Sequence, residues 1–169
     1  MIEIRKGTEE NLEGFIALLD AVKRNMDHDE WFYLDPPDAL RKMMQDGIME
    51  FWVALDGEKM AGAFDVLHPE QKSLNYGYAI GLSEDELPLV VNMDSAAVHP
   101  AYRGQGLQRR LMQIAEEDLL SRKEKRILLC TVHPDNRFSL RNVLSQGYRV
   151  VKTIPIYGSV RHVLCKVIE

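Results

Sequence analysis

Two apolar runs with one amphipathic run between them limit the fold more than any other feature of this chain. "LVVNMDSAAV" at residues 89–98 is apolar and β-branched at its start and end, and "RILLCTV" at 126–132 is continuously apolar. Between them, from about Gly106 to Ser121, Leu107, Leu111, Ile114, Ala115 and Leu119 recur at helical spacing on one face. A continuous apolar run of that length fits a strand buried on both sides. A strand, a helix and a second strand that return to one sheet form a right-handed crossover, so residues 90–98 and 126–132 are expected to run parallel.

The flanking sequence reads differently. "MIEIRKG" alternates as a first strand does, and Thr8 before Glu9 and Glu10 is a helix N-cap signal. Leu12, Phe15, Ile16, Leu19 and Val22 carry that helix to about Met26. Pro37 starts a second helix, which Gly47 stops. "FWVALDGEKMAGAFDVL" reads as two strands around Asp56-Gly57, a hairpin signal. Residues 69–88 are polar and irregular, with an extra strand expected at "LNYGYAI" (74–80). "DNRFSLRNVLSQG" is a short helix closed by Gly147, and "YRVVKTIPIYG" and "VRHVLCKVI" are two last strands, expected antiparallel. The expected fold class is therefore α/β (α+β). It has a mixed, mostly antiparallel central sheet of six to seven strands, a parallel central pair and helices on both faces, as one domain over residues 1–169.

Composition removes some function classes. A net charge of −5 and a pI near 5.6 disfavour nucleic-acid binding through bulk charge. Cys130 and Cys165 each lie in an apolar run without paired spacing, as buried thiols of a reducing compartment do. No run approaches membrane-spanning length and "MIEIRKGTEE" is not a signal peptide, so a cytoplasmic location is expected, with no membrane partner.

The chemistry concentrates at "HPAYRGQGLQRRLM" (99–112), where the first strand of the crossover enters its helix. The first N–H groups of a helix have no internal partner and together carry roughly half a positive charge. Gly104 and Gly106 let backbone approach a ligand closely, and Arg103 adds charge at the rim. Such a turn cradles a phosphate or diphosphate, or it needs glycine for geometry alone. A P-loop would require Gly-Lys-Ser/Thr, and a dinucleotide fingerprint would require glycine where Arg109 stands.

"AVHPAYRGQGLQRRLM" resembles the acyl-CoA signature of the GNAT superfamily of N-acetyltransferases, Arg/Gln-x-x-Gly-x-Gly/Ala after a strand ending in Val-x-Pro. The pattern falls on Arg103, Gly104, Gln105, Gly106, Leu107 and Gln108, with Gln108 departing where glycine or alanine is usual. "HPDNRFSLRNVLSQGYRV" is similar to the family's next block, with Asn136, Ser139, Gly147 and Tyr148 in its positions. The resemblance covers about residues 90–150. It implies acetyl-CoA as co-substrate, with the diphosphate on the N–H groups of residues 104–108. The pantetheine arm then lies between the parallel strands, which splay at their ends, and pairs with backbone near Ala96 and Val98. Both strands end in His-Pro, and proline removes a ladder donor there, which favours that parting. His99 and His133 have no third ligand at matching spacing, so no metal is expected.

The resemblance further implies direct transfer of the acetyl group to a primary amine of a small molecule or peptide. The amine must lose a proton to react. Asp94, alone among hydrophobic and small residues, is the candidate base, and Asn92 two residues earlier is a candidate to order a water. Relatives carry a tyrosine acid where this chain has Val143, which leaves Tyr157, before Gly158 at a strand turn, as candidate acid; Tyr148 is expected to pack. The alternative is a non-catalytic acyl-CoA-binding regulatory module. Longer acyl donors remain open on the depth of the pocket near Ala96 and Val132. Cys130 lacks a basic neighbour and is expected to be inert. Asp27, Asp29, Glu30 and Glu84-Asp85-Glu86 either attract a cationic amine or are solvated surface. Arg109, Arg110, Lys123, Lys125 and Arg126 either meet the adenosine 3′-phosphate or are helix-surface charge. Trp31-Phe32-Tyr33 either lines the acceptor pocket or anchors its loop. A homodimer through the final hairpin is compatible with the pattern.

Overall fold

The computed structural model describes residues 1–169. Its strands are β1 (Ile2–Lys6), β2 (Met49–Asp56), β3 (Lys59–Leu67), β4 (Val90–Val98), β5 (Arg126–Val132), β6 (Arg149–Ile156) and β7 (Ser159–Ile168). Its helices are α1 (Glu9–Arg24), α2 (Pro37–Gln45), α3 (Leu107–Ser121) and α4 (Arg137–Ser145). Hydrogen bonding orders one seven-stranded sheet as β1-β2-β3-β4-β5-β7-β6. β4 and β5 are parallel, whereas β1 with β2, β5 with β7, and β6 with β7 are antiparallel. The crossover pattern of the sequence therefore gives the mixed sheet that was expected of it. No helix is long and apolar enough to cross a membrane.

Two compact units divide the chain, Met1–Val66 with Asp94–Ser121, and Leu67–Met93 with Arg122–Glu169. In the first unit α1 begins where Thr8 N–H donates to Asn11 Oδ1 at 3.0 Å, with two acidic residues in its first turn. Its buried face carries Phe15, whose ring stacks on Phe51 of β2 at 4.8 Å between centroids. α3 buries Leu107, Leu111, Met112, Ala115 and Leu119. A Cβ at Gly62 of β3 would press on Ala97 O and Leu111 Cδ1, each 3.1 Å away, so glycine admits both neighbours there.

In the second unit Leu128 and Leu129 of β5 are fully buried, as the apolar run required. Tyr76, Val90, Ile127, Leu129 and Cys165 form one core cluster. "LNYGYAI" is not a strand. Residues Tyr76–Tyr78 form a 3-10 turn, because Asn75 Oδ1 accepts from Gly77 N–H at 2.7 Å and Ala79 N–H bonds Tyr76 O at 3.1 Å. The local asparagine and glycine outweigh the apolar alternation. α3 also starts one residue later than the sequence suggests, since Gly106 takes φ 71, outside the helical region.

Candidate active site

The turn before α3 has the shape an anion cradle needs. Arg103 through Gly106 are exposed, while Leu107 is buried and pins the helix start. Gly104 and Gly106 adopt φ 79 and φ 71, and a Cβ built at either meets nothing within 4 Å. The conformation demands glycine, and the space beside it is open. Arg110 N–H reaches Gly106 O at 3.1 Å, so the N–H groups ahead of Arg110 stand at the open end of the helix. Gln108, the departure from the family pattern, is half-buried on the first turn of α3.

β4 leads into this turn. From Asp94 onward its burial alternates: Asp94, Ala96 and Val98 are partly open, Ser95 and Ala97 buried. The candidate base and the two positions assigned to the pantetheine arm thus share one face. The recorded β4–β5 register pairs Val90, Val91 and Asn92 with Ile127, Leu128 and Leu129, whereas β4 runs on to Val98.

Asp94 has acidic company that the sequence reading missed. Ser95 Oγ bonds Asp94 Oδ2 at 3.2 Å, and Ser95 N–H donates to Asp65 Oδ1 at 3.0 Å. Asp65, on β3, is 1 % exposed. Burial first, then the Asp94 charge, pushes its pKa well above the ordinary carboxylate range, against the pull of the Ser95 N–H. Asp35 also faces this group, and burial raises its pKa. The Tyr33 phenol is raised by burial, then by Asp35 and Asp94, so it joins the same set. A lone acid inside "AGAFDVL" was the available signal for Asp65, the same signal that singled out Asp94.

The rest of the aromatic loop makes local contacts. His28 stacks on Trp31 with centroids 4.3 Å apart, and Lys23 Nζ donates to Asp29 O and Phe32 O. The two His-Pro strand ends share one local device. His99 Nδ1 accepts from Ala101 N–H and His133 Nδ1 from Asp135 N–H, each at 3.1 Å. Both imidazoles thus turn the chain, and no group of three His, Cys, Asp or Glu side chains is placed to hold a metal.

Within the second unit Asn92 is 1 % exposed and tied to a loop: its Nδ2 donates to Leu74 O at 2.8 Å and its Oδ1 accepts from Tyr76 N–H at 3.5 Å. Both ends of the amide thus hold backbone of the loop at residues 74–76. Asn136 Oδ1 caps α4 by accepting from Ser139 N–H at 3.3 Å, which brings those two candidates together at the helix start. Val143 is buried on α4, and Tyr148 packs at 3 % exposure under Lys166 Nζ. Tyr157 is 39 % exposed in the β6–β7 turn at φ 56, and its Oη lies 2.8 Å from Tyr76 Oη. Cys130 is buried and its thiol pushed up to about 12, chiefly by desolvation, which makes it a poor nucleophile.

Comparison with solved structures finds the same fold. A GNAT-family acetyltransferase from Streptococcus pneumoniae aligns over 100% of both chains with a TM-score of 0.75 and 16% identity. A protein assigned as an acetyltransferase, from Salmonella typhimurium and solved with its cofactor acetyl-CoA, aligns over 100% of this chain and 95% of its own, with a TM-score of 0.73 and 16% identity. A ribosomal-protein-alanine N-acetyltransferase from Brucella melitensis aligns over 98% of this chain and 99% of its own, with a TM-score of 0.71 and 20% identity. No curated protein sequence matches the chain. The family model "Acetyltransferase (GNAT) family" matches residues 18–148, a span holding the glycine turn, the Asp65–Asp94 pair and the α4 cap. With that match over most of its length, the chain belongs to the GNAT acetyltransferase family.

Proposed function

We propose that this protein transfers the acetyl group of acetyl-CoA directly to a primary amine of a small molecule or peptide. The observation that carries the reading is the open glycine turn at the start of α3, continuous with the half-open face of β4. The turn fits a diphosphate because it stands at the open, N-terminal end of α3 and its glycines leave room for the ligand. In this reading the backbone of Gly104, Gln105, Gly106, Leu107 and Gln108 holds the diphosphate and Arg103 adds charge at the rim. The backbone at Ala96 and Val98 holds the pantetheine arm; Asn136 and Ser139 at the cap of α4 are further candidates for coenzyme contacts.

Acceleration comes from positioning the amine against the thioester and from backbone N–H groups polarising its carbonyl. Asp94 removes the proton that an ammonium carries, which frees the lone pair for attack. The N–C bond forms as the C–S bond breaks, the second proton of the amine nitrogen passes to solvent water, and Tyr157 gives a proton to the departing thiolate. Asp65 and Asp35 set further carboxyl groups beside Asp94, an environment that favours an acceptor arriving as a cation.

Thiol release from acetyl-CoA, followed with a panel of small amines and of peptides bearing free N-termini, tests this reading. Turnover with at least one acceptor is expected, and Asp94→Asn lowers kcat about a hundredfold or more while leaving CoA affinity within a few-fold. Thermal stabilisation by acetyl-CoA without thiol release on any acceptor would instead establish the binding module. Full activity of Asp94→Asn would remove Asp94 as base.

A further inference from the structure

Tyr157 occupies a backbone conformation that its side chain disfavours. In the two-residue turn between β6 and β7, Tyr157 and Gly158 take φ 56 and φ 72. Asparagine, aspartate or glycine ordinarily fills the first position of such a turn. A bulky residue there persists only where its surroundings fix it, and such outliers gather at functional sites. The 2.8 Å hydroxyl–hydroxyl bond to Tyr76, 81 residues away in sequence, is a contact that fixes it.

Tyr76 is itself held from several directions. Its ring is 6 % exposed in the core cluster with Val90, Ile127, Leu129 and Cys165. Two buried asparagines hold the turn that carries it. Asn92 grips Leu74 O and Tyr76 N–H, and Asn75 Nδ2 donates to Leu87 O at 3.0 Å while its Oδ1 accepts from Gly77 N–H. Lys152 Nζ of β6 donates to Ala79 O at 2.8 Å, which ties the strand that carries Tyr157 to the turn that carries Tyr76. A buried, doubly clamped phenol thus presents its hydroxyl to a half-exposed one.

We propose that Tyr76 is the positioning residue for Tyr157, and that Asn92 serves the reaction by fixing the turn that carries Tyr76. This rests on the acetyl-transfer reading above. In the step concerned, the Tyr157 Oη–H bond breaks and an S–H bond forms on the leaving thiolate. The Tyr157 phenolate accepts a hydrogen bond from Tyr76 Oη–H, then takes a proton back from water before the next turnover. Tyr76 touches neither the thiol nor the amine. It holds the Tyr157 hydroxyl in one place and stabilises the charge left on it.

Steady-state kinetics of Tyr157→Phe, Tyr76→Phe and the double variant, with the acceptor turned over by the unaltered protein, test the proposal. Tyr157→Phe is expected to lower kcat about a hundredfold. Tyr76→Phe keeps the buried ring and is expected to lower kcat about tenfold, the worth of one net hydrogen bond, with the KM for acetyl-CoA unchanged. The double variant should be no slower than Tyr157→Phe alone, because Tyr76 acts only through Tyr157. A second readout needs no turnover. In protein labelled at the tyrosine Cζ carbon, the Tyr157 resonance, assigned by its loss in Tyr157→Phe, should move in Tyr76→Phe. Wild-type kcat in Tyr76→Phe, losses that multiply in the double variant, or an unmoved Tyr157 resonance would each overturn the proposal. If Tyr157→Phe itself kept full activity, the assignment of Tyr157 as acid would fall, and the positioning role with it. Absence of turnover on every acceptor would overturn the acetyl-transfer reading.

Discussion

Adding one methyl group at Gly106 separates the cost of the turn's conformation from the value of its open space. Gly106 sits at φ 71, where an L-residue is strained by about 1–2 kcal/mol. A Cβ there meets nothing within 4 Å, so Gly106→Ala adds no clash and the protein should fold. For a chain of this size that strain lowers Tm by about 2–8 °C. If the turn holds a diphosphate, the methyl group also intrudes on the ligand. Losing one charge-assisted hydrogen bond costs about 1.5–3 kcal/mol, which weakens CoA binding by about ten- to a hundredfold. Gly47 supplies the control: at φ 72 after α2, with nothing within 4 Å of a Cβ, it carries the same conformational cost. Calorimetric titration with CoA and thermal melts of Gly47→Ala and Gly106→Ala give both quantities. Matching melting losses with weakened CoA binding only in Gly106→Ala are expected. Matching losses with CoA binding unchanged in both would refute the cradle.

Three further outcomes follow from buried groups. Asp65 has a folded-state pKa above its unfolded value, so its contribution to stability is present below the unfolded value and lost as pH rises through the folded one. Asp65→Asn, permanently neutral and still able to accept from Ser95 N–H, should gain stability over the unaltered protein between pH 4 and pH 8; urea midpoints that differ equally at both pH values would contradict this. Gly7→Ala would place a Cβ 2.2–2.6 Å from the Phe51 ring, which stacks on Phe15, and should destabilise by about 1–3 kcal/mol in denaturant melts. Cys130, with its thiol pushed up to about 12, and Cys165, raised by burial, should resist iodoacetamide at pH 8 while the protein is folded and react once it is unfolded.

The sequence by itself determined what depends on neighbours a few residues apart. Period and apolar content placed β4, α3 and β5, and chain handedness made the crossover parallel. The glycine turn was legible because positive φ is a local demand that Gly104 and Gly106 meet alone. The alternation that puts Asp94, Ala96 and Val98 on one face follows from strand geometry. Only the tertiary structure set Asp65 beside Ser95, 30 residues on, and the Tyr76 hydroxyl against that of Tyr157. It also tied the Asn92 amide to Leu74 O and made residues 74–80 a capped turn in place of a strand. These features depend on which distant segments pack together. A buried carboxyl or amide takes the partners its surroundings offer, because leaving it without one costs more than reshaping the nearby backbone.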